Sequence, residues 1–75
     1  MAEERKPLQI TLEAARVNAR LTQKDVAEKM GKSNKTIGNW ENGKTEIDPA
    51  NFTFLCNLYG VDKECIFLPY ELTKS

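Results

Sequence analysis

The chain has 75 residues, with 11 basic and 11 acidic side chains, two cysteines and no histidine. A chain this short holds one small domain with a limited core, and it has neither an apolar run long enough to span a membrane nor a basic segment leading into an apolar one, as a secretory leader would have. Without histidine, a phosphate loop or a nucleophile beside a base, neither an enzyme nor a metal centre is expected. No cofactor, small-molecule ligand or membrane partner is implied, and the expected location is cytoplasmic. In a reducing cytosol, Cys56 and Cys65 read as free thiols acting as small buried hydrophobes.

Residues 1–7 are polar and end in proline, which reads as a flexible arm ahead of a domain over 8–69, with 70–75 as a tail. Leu8 to Ile10 can be extended. A first helix is predicted from Leu12 to about Ala19, with Thr11 as its cap and Leu12, Ala15 and Ala19 as a narrow apolar stripe. Thr22 caps a second helix, Asp25 can return the bond, and Val26, Ala27 and Met30 face inward. Gly31 ends that helix and Ser33 caps a third, which runs to about Asn42 with Ile37 and Trp40 inward. Asp48 followed by Pro49 starts a fourth helix ending at Gly60, with Phe52, Leu55, Cys56 and Tyr59 on its inner face. Asp62 caps a short fifth helix through about Phe67, closed by Pro69. Five short helices without a strand pattern make an all-α domain.

The second and third helices meet the demands of a helix-turn-helix together. Ala27 is small where two steeply crossing helices touch, and Gly31 permits a quick reversal. Val26, Met30, Ile37 and Trp40 pin the crossing angle. The first turn of the third helix carries Ser33, Asn34, Lys35 and Thr36, polar and short enough to reach base edges, and Asn39 shares the face of Lys35 and Thr36 one turn later. Net charge is zero, but its distribution is not even. From Arg16 to Lys44 seven bases stand against three acids, and from Thr45 onward two bases stand against five acids. Local charge, more than the sum, sets attraction to a phosphate backbone.

Residues 11–68 resemble the Xre/Cro/CI-type, lambda repressor-like DNA-binding domain. The resemblance is carried by Leu21-Thr22-Gln23 through Ala27, by Gly31, by Trp40-Glu41-Asn42-Gly43-Lys44 and by Tyr59-Gly60-Val61. It implies a compact five-helix bundle that binds double-stranded operator DNA, usually as a homodimer on a two-fold related site. It also implies that Gln23 touches a phosphate and braces the recognition helix. By the same resemblance Asn34, Lys35, Thr36 and Asn39 face the groove, with Ser33 beside them as a base contact expected from its place in the first turn, Asn42 and Lys44 grip the backbone, and Arg16 pairs with Glu41. The amides of Asn34 and Asn39 suit adenine, Lys35 suits guanine, and Lys32 joins Lys44 at phosphates.

Three features depart from the family pattern. Lys32 stands where an apolar residue is usual, and its stem can still cover Trp40 or Ile37. Gly38 interrupts the third helix, either to allow close approach to the sugar-phosphate chain or as a tolerated blemish. Phe54 and Leu58 are i, i+4 neighbours off the inner stripe, and with Ile66, Leu68 and Tyr70 they suggest a dimer patch unless the tail folds over them. The expected function is a stand-alone, sequence-specific transcriptional regulator, in the first instance a repressor. The alternatives are the antitoxin of a toxin pair, or a protein-interaction adaptor that kept the fold without DNA binding.

Overall fold

Four N-caps establish the helices. In the computed structural model, which describes residues 8–68, Thr11 Oγ1 accepts from the Ala14 amide at 3.0 Å and opens α1 (Leu12–Asn18). Thr22 and Asp25 exchange both bonds of a capping box, at 3.0 and 2.9 Å, and open α2 (Gln23–Met30). Ser33 Oγ accepts from Thr36 N at 3.1 Å and opens α3 (Asn34–Asn42). Asp48 accepts from Asn51 N at 3.2 Å, with Pro49 at the first helical position of α4 (Pro49–Tyr59). Each cap satisfies an amide that the helix cannot pair internally. The Asp25 and Asp48 carboxyls are held below their ordinary range, chiefly by the backbone amides of Thr22 and Asn51 respectively.

The helix ends differ in kind. α2 stops at Gly31, whose φ of +69° is the left-handed turn that glycine adopts without steric cost. The turn after α1 puts Arg20 in the same region, at φ +65°. It is the one non-glycine residue there among the described residues, and an L side chain is crowded in that conformation.

The expected fifth helix does not form. Asp62 makes no side-chain cap bond, and the chain completes only one 3₁₀ turn, Lys63–Cys65, closed by Cys65 N donating to Asp62 O at 2.9 Å. It then extends. β2 (Ile66–Phe67) pairs in parallel with β1 (Ile10–Thr11), Ile10 opposite Ile66 and Thr11 opposite Phe67. The Gln9 side chain adds a bond to the Glu64 carbonyl at 3.2 Å. The described residues therefore form four α-helices, one 3₁₀ turn and a two-stranded sheet, and the all-α, five-helix expectation is corrected. The β-branched Ile66 prefers this extended register, where it is only 5 % exposed against the core. The arm at 1–7, the tail at 70–75, Pro69 and Tyr70 lie outside the described residues.

The core is contributed by every helix and by β2. Val26, Ile37, Ile47 and Leu55 are its largest fully buried side chains, surrounded by Leu12, Ala15, Trp40, Phe52, Cys56, Tyr59 and Ile66. Ile47 sits in the α3–α4 loop, a position read from sequence only as connection. Met30 and Leu58 are half-buried at the margin. Cys56 is buried and Cys65 half-buried, both as free thiols, and burial pushes the Cys56 thiol up. No helix among the described residues is long and apolar enough to cross a membrane.

Candidate nucleic-acid interface

α2 and α3 form a hairpin around Gly31, with Ala27 buried where the helices meet. The inner face of α3 is anchored by Ile37 and Trp40, both buried. Burying an indole and an isoleucine contributes about 1.5 to 3 kcal/mol each, enough to hold so short a helix at one tilt. Its other face is polar. Ser33, Asn34, Lys35 and Asn42 are exposed, and Thr36 and Asn39 are half-buried. The Ser33 and Thr36 hydroxyls lie 3.0 Å apart and share a hydrogen bond, while Ser33 Oγ also serves as the cap. Those two side chains are thus partly committed within the helix, whereas Asn34 and Lys35 project freely.

Beyond α3 the chain wraps back on itself. Lys44 N donates to Asn39 O at 2.9 Å, which keeps exposed Lys44 close to the end of α3. Lys32, in the turn before α3, is exposed as well.

Behind the polar face lies one carboxylate that three helices share. Glu41 has a side chain only 3 % exposed, and the Arg16 side chain is 10 % exposed. Arg16 Nε donates to Glu41 Oε2 at 2.7 Å and Arg16 Nη2 to Oε1 at 3.3 Å, a two-pronged bond joining α1 to α3. Arg16 Nη1 donates to the Leu21 carbonyl at 2.9 Å, so the same guanidinium also secures the α1–α2 turn. Gln23 Nε2 donates to Glu41 Oε1 at 3.0 Å and ties in α2. The hydrogen bond to Glu41 raises the Arg16 pKa above its ordinary value. A buried pair of this kind orients its elements; removing one partner strands the other charge.

Gln23 was expected to brace the recognition helix and Tyr59 to face inward, but two details of this region were not visible in the sequence. The Gln23 bond to Glu41 joins residues 18 positions apart, and no local pattern announces it. Tyr59 Oη is buried without a hydrogen-bond partner among the described residues. Burial pushes its pKa up to about 12, with the nearby Glu41 charge adding to the effect.

Gly38 also finds a neighbour that the sequence did not suggest. Glycine inside a helix costs about 1 kcal/mol against alanine. Here the Gln23 amide lies beside Gly38 at ordinary contact distance: a Cβ at position 38 would lie 3.6 Å from Gln23 Oε1 and 3.7 Å from Nε2.

The suggested apolar patch is reduced. Phe54 is 45 % exposed, but Leu58 packs partly against the core and Ile66 is buried within it. Phe67, at 51 % exposure, is the exposed residue of β2.

No curated protein and no solved structure matches the chain. Residues 2–64 match the helix-turn-helix family. That span contains the α2–α3 hairpin, the Arg16–Glu41–Gln23 cluster and the whole polar face of α3. The chain belongs to the helix-turn-helix family of Xre/lambda repressor-like type, whose members are DNA-binding transcription regulators and generally not enzymes.

Proposed function

We propose that the chain is a sequence-specific transcriptional regulator that reads the major groove of double-stranded operator DNA with α3. It represses by occupying the promoter. The observation that carries this reading is the two-sidedness of α3: Ile37 and Trp40 are buried on one side, Lys35 and Asn42 stand exposed on the other, and Asn34 is exposed at the first turn. A rigid helix offering amides and amines matches what base edges require.

In this reading Asn34 and Asn39 address adenine and Lys35 addresses guanine, with Ser33 and Thr36 beside them. Lys32, Asn42, Lys44 and Gln23 meet phosphates and set the register. The protein acts in the cytoplasm and binds as a homodimer on a two-fold site, with exposed Phe54 and its neighbour Leu58 as the contact. Phe54→Glu should then lower the sedimentation coefficient of the complex on DNA.

Selection of bound duplexes from a random pool tests the function. The expected result is one enriched motif, symmetric if two copies bind, with affinity falling steeply as salt rises. Lys35→Ala should relax preference at one base pair by about 1 to 3 kcal/mol, and Lys44→Ala should weaken all sequences alike. A pool that stays random at low ionic strength removes this reading. The adaptor alternative would then take its place, in keeping with the acidic half of the chain after Thr45.

A further inference from the structure

We propose that Gly38 is a positioning residue for DNA binding: by withholding a side chain from α3, it leaves a seat in which the Gln23 amide is held facing the phosphate backbone. This role rests on the reading of Gln23 as a phosphate ligand.

Gly38 and Glu41 are three residues apart and share a face of α3. Gln23, the first residue of α2, lies along that face. Its amide sits over Gly38, with Oε1, Nε2 and Cδ at 3.6, 3.7 and 4.0 Å from where a Cβ would stand. Its Nε2 ends on Glu41 Oε1 at 3.0 Å. That same oxygen takes Arg16 Nη2 at 3.3 Å, and Arg16 Nε holds the other oxygen at 2.7 Å. The carboxylate therefore cannot swing away from the glutamine.

The consequence for the amide is orientation. A carboxylate accepts and cannot donate, so the amide must present its nitrogen to Glu41 and cannot flip. One N–H is spent there. The second N–H has no protein partner among the described residues, and its direction is set by the first. A phosphate oxygen accepting that N–H meets a donor already held in place, so less freedom is lost on binding.

The seat has a measurable size. A methyl group at position 38 makes ordinary contact at 3.6 Å, so alanine fits. A longer side chain occupies the place of the amide and displaces Gln23 from Glu41.

The test is a double-mutant cycle on the full chain. The probe is a fluorescent 30-base-pair duplex carrying the motif the parent selects from a random pool. Gly38→Ala should bind within about twofold of the parent, and Gly38→Leu should bind at least tenfold more weakly while melting cooperatively. In the Gln23→Ala background, the added Leu at 38 should cost less than twofold, because the amide it displaces is gone. Should Gly38→Leu fail to fold, Gly38→Met, with a more flexible stem, runs the same cycle. An equal loss in both backgrounds overturns the role of Gly38 and leaves DNA binding standing. A parent that enriches no duplex overturns the reading of Gln23 as a phosphate ligand, and this role with it.

Discussion

The α2–α3 hairpin and the segment after α4 are both short, but different parts of the chain determine them. In the hairpin, Thr22 with Asp25 and then Ser33 open the helices, Gly31 turns the chain, and every cap bond joins residues three apart. The segment after α4 has a cap-type residue, Asp62, that makes no side-chain cap bond. Its conformation comes from Ile10, far away in sequence, which takes Ile66 as a strand partner. Local signals suffice where they are complete; where one is missing, tertiary packing decides.

The largest effect is expected at the carboxylate joining the hairpin to α1. Glu41→Ala takes away the two-pronged bond of the buried Arg16 guanidinium, leaving it only the Leu21 carbonyl and the exposed Glu13 carboxylate at 3.9 Å, and should cost about 3 to 5 kcal/mol in urea unfolding. A loss below 1 kcal/mol would mean that the hairpin does not depend on this cluster. In the other region, Ile66→Ala removes a core side chain that is 5 % exposed and should cost about 2 to 5 kcal/mol. An unchanged midpoint would make the two-stranded pairing ornamental.

The caps give the sharper comparison. Thr22→Ala should cost about 0.5 to 2 kcal/mol. Asp62→Ala should stay within about 0.5 kcal/mol, as for a surface position without a special contact. Equal costs at the two sites would erase the distinction between the regions.

The smallest effect is in acid. Asp25 and Asp48 have pKa values lowered by backbone amides in the folded state. Their contribution is present above the unfolded carboxyl pKa of about 3.9 and is lost as pH falls from there through the lower folded values. The Asp25→Asn and Asp48→Asn variants should show less loss of stability below about pH 4 than the parent. Curves parallel to the parent's would contradict the cap assignment.

The same division explains what the sequence revealed. α2, α3 and α4 were legible to within a residue, because Thr22 to Asp25, Ser33 before Asn34 and Asp48-Pro49 are signals read over three or four positions. Ile37 and Trp40 were legible as anchors from helical spacing. The strand pairing of Ile10 with Ile66 was hidden, since two residues show no alternation and the partner is remote. Ile47 was hidden because a loop has no periodicity to mark its buried side. At the candidate site, the residue types on the polar face of α3 could be read directly. The Gln23 amide over Gly38 could not, because it depends on how closely two helices approach.

The link between Gln9 and Glu64 joins positions 55 apart, and this has a kinetic consequence. Closing so wide a ring costs entropy that is recovered only after the intervening helices have packed. The α2–α3 hairpin needs no such closure, since its contacts span a few turns of chain. Amide protons of the strand pair should therefore exchange with solvent sooner than those of α3, and the α2–α3 hairpin should survive fluctuations that open the strand pair.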